Sequence, residues 1–494
     1  MLKVTGTLLQ GIVAALLTTV IFSPASLHAQ ENLSIDQAIC ISLSQNNQIQ
    51  ASKEKIASQE YNVKSSLTDM LPKFSFSGQY VHMEPLPEFK FNMNNLFHWE
   101  NAPPGDITLQ MMKESMEKMV KYNIIDMGSI SQLKVYEYNQ WQASFSVQQP
   151  LFSIYPLLEA YKIQKNGLEM TRFAEKTTGQ DIRMQVIVTY LSALEAKKLI
   201  QIANEAVDLI KQNVDQAKLF VQAGVAQISD QLMAEVRLAE AKNNVVRAEN
   251  ALKLAKASIN MLMGANPRNE FQLVDLGMDI PKFTSTMDEM LSSAERNRSE
   301  LKLLDNQVEI TKRGIRLAWS NFIPQSGIFG SYTYQVGNDF MPEWGWAAGA
   351  SASIPIWEWG KRYDQIKSAE HTYKEAKNQR DYARDGIELQ VKQSYLDLIA
   401  AEKMIATSEA SMKASRESHR VMKMKYDAQM TTMVELLEAT LMVSRSDFDY
   451  YTAVYEYAKS LVRLARSAET DASKISSAKE LGSECRLTSA VMTK

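Results

Sequence analysis

Four short stretches of the chain alternate apolar and polar residues, and the long stretches between them repeat apolar residues every three and four. In "LPKFSFSGQYV" (71–81) Phe74, Phe76 and Tyr80 fall on one side, and Ser75, Ser77 and Gln79 on the other. That is the period of a strand with two unlike faces. "WQASFSVQQP" (141–150) sets Trp141, Ala143, Phe145 and Val147 against Gln142, Ser144, Ser146 and Gln148. In 325–336, Ile328, Gly330, Tyr332, Tyr334 and Val336 share a face, and in "WGWAAGASASIP" (344–355) Trp344, Trp346, Ala348, Ala350 and Ile354 do. Strands are predicted over 73–83, 141–149, 325–338 and 344–354. About ten residues span a bilayer when tilted, and the aromatic residues gather at strand ends as interfacial girdles do. Two isolated hairpins cannot hold themselves together in water, so they need partners.

The intervening segments read as helices. Ile182, Val186, Thr189, Ala193, Ala196, Ile200, Ala203, Val207, Ile210, Val214, Ala217 and Val221 recur at 4-3-4-3 spacing, a coiled-coil seam. A return seam runs through Ala234, Leu238, Ala241, Val245, Ala248, Leu252, Ala255, Ile259 and Leu262. From Leu151 to Val221 is roughly 100 Å of continuous helix at 1.5 Å per residue. Shorter helices are expected over 34–70 and 288–322. Pro72, Pro150, Pro324 and Pro355 stand at the four helix–strand junctions. Proline breaks the helical hydrogen-bond ladder, drives the preceding residue out of α geometry, and is tolerated in a helix's first turn.

The chain repeats itself. "VTYLSALEAKK" (188–198) resembles "QSYLDLIAAEK" (393–403), 205 residues later, and Pro150, Tyr190 and Leu232 map to Pro355, Tyr395 and Leu437 at the same offset. "LPKFSFSGQY" (71–80) matches "IPQSGIFGSY" (323–332) at an offset of 252, so the first copy carries about 47 extra residues between its prolines. They fall in the 84–140 insertion, a long loop with a short Met-rich helix (Met111, Met112, Met116, Met119). The organisation is therefore a first repeat over 30–287, with long helices to 264 and a linker, a second over 288–466, and a C-terminal tail over 467–494.

The N-terminus adds a compartment. Lys3, an apolar run from Leu8 to Phe22, Pro24 and Ala29 read as a signal peptide over 1–29; an uncleaved anchor is the alternative, but the run is short for a spanning helix. No cysteine follows the cut immediately, so no lipoprotein anchor is expected. No later stretch is apolar enough to span as a helix, yet an exported chain still crosses a membrane as a β-barrel, whose strands hydropathy misses. The net charge of −3 gives no basic field for nucleic acid. The five histidines are scattered without metal-ligand spacing. There is no G-x-S-x-G, H-E-x-x-H or P-loop, and Gly360-Lys361 lacks a preceding glycine-rich loop. No enzyme activity, cofactor or metal site is expected. Cys40 and Cys485 are expected to be free thiols, because their spacing says nothing of proximity.

Four strands cannot close a barrel with an open lumen, whereas three chains supply twelve and leave no edge in lipid. The duplicated plan, "LPKFSFSGQY" with "FSVQQPLF", and the turn motifs "VQAGVAQISDQLMAE" (221–235) and "YDAQMTTMVELLEAT" (426–440) resemble the TolC-type outer membrane efflux proteins over the whole mature chain. The resemblance implies a mixed α and transmembrane β fold: a homotrimeric 12-stranded barrel continuous with a long periplasmic α-helical barrel. It implies an equatorial belt from 265–287 and 467–494, near which Cys40 and Cys485 come close enough for a disulfide to be considered. It implies a passive exit duct in the outer membrane, with its lipids around the barrel, a periplasmic adaptor at the tips, and an inner membrane pump of RND or ABC type. A secreted structural coiled-coil or stalk protein without channel activity is the alternative.

The resemblance also implies a gate. Glu435 and Glu438 match the acidic pair of the channel constriction. They lie three apart, hence on one helix face, and three chains ring six carboxylates. Such a ring favours cations and raises carboxylate pKa. Without the family, a solvated face near a helix N-terminus is the simpler account. Asp230 and Tyr426 match latch positions of the closed tip. Thr431 stands where the family pattern has a basic residue, which puts the latch's salt bridge in doubt. Gly224 keeps the first turn's glycine; Gln429 replaces it in the second, which is expected to be built differently. Met422, Met424, Met430 and Met433 near the second tip suit adaptable packing, with Cu(I) efflux as a further option.

Overall fold

The computed structural model describes residues 32–84, 136–275, 283–338 and 342–470, with several residues between 111 and 121. The predicted signal peptide, most of the insertion, Cys485 and the tail from 471 lie outside the described residues. Of the Met-rich segment, Met111 and Met119 are helical and exposed, while Met112 and Met116 lie outside.

The element order is β1 (Asn32–Leu33), α1 (Ile35–Gln45), α2 (Asn47–Thr68), β2 (Lys73–His82), β3 (Tyr136–Pro150), α3 (Ile154–Gln222), α4 (Ile228–Leu262), β4 (Gln272–Leu273), α5 (Met287–Asn297), α6 (Ser299–Ser320), β5 (Gln325–Asn338), β6 (Trp344–Ser353), α7 (Lys361–Asp427) and α8 (Met433–Ser467). Boundaries recur in pairs. Ser34 and Thr286, which cap α1 and α5, lie 252 apart, as do the ends of α2 and α6 and the starts of β2 and β5. The ends of α3 and α7, and both bounds of α4 and α8, lie 205 apart.

The chain forms two compact units. One comprises Ala57–Met170 and Asp305–Asn378 and holds the four-stranded sheet. The strands run in the order β2-β3-β5-β6, every pair antiparallel. β3 begins five residues before the expected 141, past a register shift between Tyr136 and Trp141. In the same unit Glu159 is almost fully buried on α3, with Lys162 at 3.1 Å and Arg313 of α6 at 3.2 Å. Burial pushes its carboxyl up, but these two partners outweigh it and hold it below the ordinary range.

The other unit comprises Met1–Ile56, Thr171–Leu304 and Gln379–Lys494. Its first core packs the α3 seam residues Ile182, Val186 and Ala193 with Tyr190 against Ile259 and Leu262 of α4 and Ile35 and Ile39 of α1. The Tyr190 hydroxyl lies 2.8 Å from the carbonyls of Leu33 and Val274, so it ties the parallel β1–β4 pair to α3. Burial pushes this hydroxyl up to about 12. A second core joins Val391 and Leu398 of α7 to Tyr457, Leu461 and Leu464 of α8 and Met290 of α5.

Two expectations are corrected here. The helices expected over 34–70 and 288–322 are each two helices. The first breaks at Asn46, whose Oδ1 accepts from Gln48 N at 2.8 Å and caps α2, while its Nδ2 donates to Leu262 O at 2.8 Å. The second breaks at Arg298, 252 residues on, whose Nη1 donates to Arg466 O at 3.1 Å. There the cap is supplied from far along the chain: Glu469 accepts from Ser299 N at 2.6 Å and Ser299 Oγ at 2.7 Å. Cys40, expected free, is disulfide-bonded.

Glu469 gives this unit an acid sensitivity. Burial pushes its carboxyl up, but Lys176 at 2.9 Å, Gln180 at 2.8 Å and Ser299 hold it below the ordinary glutamate range. A carboxylate depressed in the folded state stabilises it above the unfolded pKa of about 4.3, and that contribution is lost as pH falls through the lower folded value. Thermal melts at pH 7 and pH 3.5 are expected to show a smaller drop for Glu469→Gln than for the wild type.

Candidate functional site

Two regions carry the functional geometry, the sheet in one unit and a pair of helix turns in the other. The register places Phe76, Phe145, Tyr332 and Trp346 in one row across all four strands. The rows beside it hold Phe74, Val147, Gly330 and Ala348, then Gly78, Ala143, Tyr334 and Trp344. Rings meet within this face, Tyr80 with Trp141 at 4.6 Å and Tyr334 with Trp344 at 4.3 Å. The opposite face is hydroxyls and amides. Ser75 Oγ meets Ser146 Oγ at 2.7 Å, Ser144 Oγ meets Thr333 Oγ1 at 3.2 Å, and Gln79, Gln142 and Gln335 form a row. Val81, Ala347 and Phe329 are the apolar members of this face, and Phe329 is laid over Gly349, where an added Cβ would meet its ring at 2.9 Å.

Among the described residues neither face is covered. Phe76 is 75% and Trp346 79% exposed, so the apolar face is no core. β2 and β6 each leave one backbone edge unpaired among the described residues. Such a face with such edges is unstable in water. No described helix is long and apolar enough to cross a membrane. Pro72 stands between α2 and β2, and Pro150 is the last residue of β3. Pro324 precedes β5, and Pro355 lies between β6 and α7.

The turns have matching backbones. In the first, Gly224 has φ 75°, and Val225 N donates to Phe220 O at 2.9 Å. In the second, Gln429 has φ 58°, and Met430 N donates to Lys425 O at 2.8 Å. The expected difference between the turns is therefore absent: Gln429 adopts the left-handed geometry despite its Cβ. A Cβ at Gly224 meets nothing within 4 Å, so Gly224→Ala tests the backbone alone. It is expected to cost about 1 kcal/mol in thermal unfolding.

Beneath the turns, Ile210, Val214, Ala217, Ala234, Met433 and Leu436 form one cluster with Tyr426. Buried Asn213 donates to Thr440 Oγ1 at 3.0 Å, a link between α3 and α8 that no sequence signal marked. Tyr426 is buried against Phe220, and its hydroxyl has no hydrogen-bond partner. Burial pushes that hydroxyl up, and the Asp230 charge adds to the shift. The single chain thus brings Tyr426 and Asp230 into electrostatic reach without a hydrogen bond between them. Thr431 instead donates to the Glu435 carboxylate. Glu435 and Glu438 are both exposed on the first turns of α8. Glu435 also closes a capping box with Thr432, and the bonds from Thr431 and Thr432 N hold its carboxyl below the ordinary range. Met433 is fully buried and Met422 packs on the cluster, whereas Met424 and Met430 are exposed. The described residues include no group of three His, Cys, Asp or Glu side chains able to hold a metal ion.

A bare sheet, apolar on one face and polar on the other, joined by proline to helices of 69 and 67 residues, defines an outer-membrane barrel protein with a helical extension. Residues 113–265 and 290–468 match the family model of the outer membrane efflux protein. The chain belongs to that family, whose members are transport channels of the outer membrane reaching into the periplasm. It is 19% identical over 306 residues to the outer membrane protein TolC of Vibrio cholerae, covering 59% of this chain and 68% of that one. It is 20% identical over 333 residues to TolC of Escherichia coli, covering 65% and 67%. Among solved structures, CusC superposes with a TM-score of 0.70 at 11% identity over 88% of this chain and 92% of that one. The outer-membrane channel OprN superposes with 0.70 at 15% over 89% and 90%.

Proposed function

We propose that three copies of this chain close a twelve-stranded barrel and form the gated, passive exit duct of a tripartite efflux or secretion system. The observation that carries this is the sheet: its aromatic face suits lipid, its hydroxyl face suits a wet lumen, and its two open edges need strands from other copies. The recurrence of element boundaries at 252 and 205 residues supports an internal duplication. It lets one chain contribute two equivalent hairpins and two pairs of long helices. A helix of 69 residues is about 100 Å long, suited to a helical barrel through the periplasm. A stalk protein leaves an aromatic face and two edges in water, which favours aggregation rather than solubility.

In this reading the α3–α4 and α7–α8 turns form the periplasmic tip, which receives an adaptor protein and, through it, an inner membrane pump of RND or ABC type. Cargo moves with energy supplied by that pump, and the duct performs no catalysis. Glu435 and Glu438 form the constriction, six carboxylates when three tips converge. The two effects on Glu435 oppose one another: its own capping bonds lower its pKa, and neighbouring carboxylates raise it. Asp230, Tyr426 and Thr431 are latch positions. With Thr431 engaged by Glu435, the latch runs through the Tyr426–Asp230 approach rather than a salt bridge.

The test is single-channel recording in planar bilayers beside Glu435→Ala/Glu438→Ala. Small cation-selective steps are expected from the wild type, and the variant is expected to lose most of that selectivity and conduct more. Conductance and selectivity unchanged by the variant contradict the constriction at these acids. An absence of conduction from membrane-inserted protein with both wild-type and variant tips contradicts the duct.

A further inference from the structure

Helix α4 is apolar on two opposite faces. One belongs to the chain's own core, with Ala234, Ala241, Ile259 and Leu262 buried. On the other, Leu232, Val236, Val246, Leu254 and Met261 form an exposed stripe, Leu254 at 69% and Met261 at 63%. A helix with a second apolar face in water lacks a partner there. The duplication supplies a counterpart. Adding 205 carries α4 onto α8, and the matching face of α8 is buried, Leu437 at 2% and Val462 at 4%. That face packs on α3. Leu437 clusters with Ile210 and Val214, and Val462 with Ile187 and Leu191. Lys459 lies 2.6 Å from Glu195, and Arg466 donates to Asp181 at 2.7 Å.

The receiving surface recurs as well. The same offset carries Asp181, Leu191 and Glu195 of α3 onto Gly386, Leu396 and Ala400 of α7. Leu191 is 4% exposed and Leu396 55%, and Gly386 and Ala400 are exposed too. Among its described residues the chain thus carries both halves of a second helix seam and leaves both open. The two halves differ from the first seam in step with each other. Lys459 over Glu195 becomes Leu254 over Ala400, and Arg466 over Asp181 becomes Met261 over Gly386, a large apolar knob over a small residue each time. Gly386 lies inside a helix of 67 residues, where glycine is unfavourable. A Cβ there would meet nothing within 4 Å, so the single chain gives no reason for a glycine, whereas close approach by another helix does.

We propose that the α4 stripe of one copy seats on the α7 stripe of the next, in the register that α8 keeps on α3. Leu254 then covers Ala400 and Met261 covers Gly386 of the neighbouring copy. The two stripes are different surfaces, so the contact is heterologous and repeats around a ring. The two seams are chemically unlike: ion-paired and hydrogen-bonded inside each chain, apolar between chains. Salt and acid therefore act on the seam within a chain and spare the seam between copies. This inference deepens the reading of the chain as one copy of a ring-forming duct and rests on it.

The test copies the ion pair of the first seam into the second. The full protein is extracted from membranes in mild detergent, and the temperature at which its multi-chain form falls to single chains is read on a semi-native gel. Leu254→Lys or Ala400→Glu alone buries an unpaired charge and is expected to lower that temperature by at least about 5 °C. Leu254→Lys/Ala400→Glu recreates the Lys459–Glu195 pair across the seam. It is expected to recover at least half of the loss at low salt and to forfeit the recovery in about 1 M sodium chloride, which does not weaken the wild type. Leu254→Lys/Gln393→Glu, one heptad out of register, is expected to recover none of it. Single substitutions without effect, or equal recovery by the shifted pair, overturn the proposal. If β2–β6 cross-links at two and three chains persist while the single substitutions have no effect, the barrel reading stands without this seam. A protein found only as single chains in membranes removes both.

Discussion

Phe145→Arg is expected to abolish stable insertion into the outer membrane. Phe145 sits mid-strand in β3, in the aromatic row with Phe76, Tyr332 and Trp346. An arginine at the bilayer midplane on the lipid face of a barrel costs about 2–4 kcal/mol, incurred once per chain. The neighbouring Ser144→Arg places the same charge on the hydroxyl face beside Thr333, where it meets a wet lumen and alters selectivity instead. Flotation of membranes on a density gradient separates the cases: the Phe145 variant is expected to leave the membrane fraction and the Ser144 variant to remain. Equal retention of the two contradicts the assignment of faces.

Arg466→Ala is expected to be the most destabilising single change in the helical unit. Arg466 is nearly buried and donates from Nε to Asp181 at 2.7 Å and from Nη2 to Glu300 at 2.7 Å. Its own carbonyl receives Arg298. Its removal takes this partner from the Asp181 carboxylate, leaves Glu300 with Arg298 at 3.6 Å, and frees the break between α5 and α6. Breaking a buried pair by deleting one partner costs about 3–5 kcal/mol. Asp181 and Glu300 are part-exposed, so solvent screening moves the expectation to the lower end. Thermal unfolding followed by circular dichroism reads it, and a second change, Glu300→Gln, is expected to recover part of the loss. A cost under about 0.5 kcal/mol contradicts a structural role for the network.

The sheet was legible because its two faces carry unlike side chains. A period of two survives in the residues only where lipid and water, or core and water, demand opposite chemistry. The junction prolines and the 205-residue repeat were legible for a similar reason, since each is a local rule written in adjacent residues. The helix breaks at Asn46 and Arg298 were not. Neither carries glycine or proline, and each is completed by a residue far along the chain, Leu262 O 216 positions away in one case and Glu469 170 away in the other. The network of Arg298, Arg466 and Glu469 was hidden likewise, because Glu469 corresponds by the 205 offset to Gly264, a residue with no side chain to suggest a partner. Gln429 misled in the opposite direction. Its turn holds left-handed geometry through two backbone bonds to Tyr426 and Lys425, so the missing glycine did not change the turn. At the tip, the pairing of Glu435 and Glu438 on one face was legible from their spacing, whereas the engagement of Thr431 by Glu435 depends on a cap geometry that spacing does not reveal.

The central claim is that open edges of neighbouring copies close a ring of three. Cysteines placed on the hydroxyl face of the two edge strands test it most directly, with Ser75, Ser77 or Gln79 of β2 paired in turn with Gly345, Ala347 or Ser351 of β6 and treated in intact membranes with a short bis-maleimide. At least one pair is predicted to give cross-linked bands at two and three chains and none above. A ladder that continues past three, or no cross-link at any pair in membrane-inserted protein, contradicts the account.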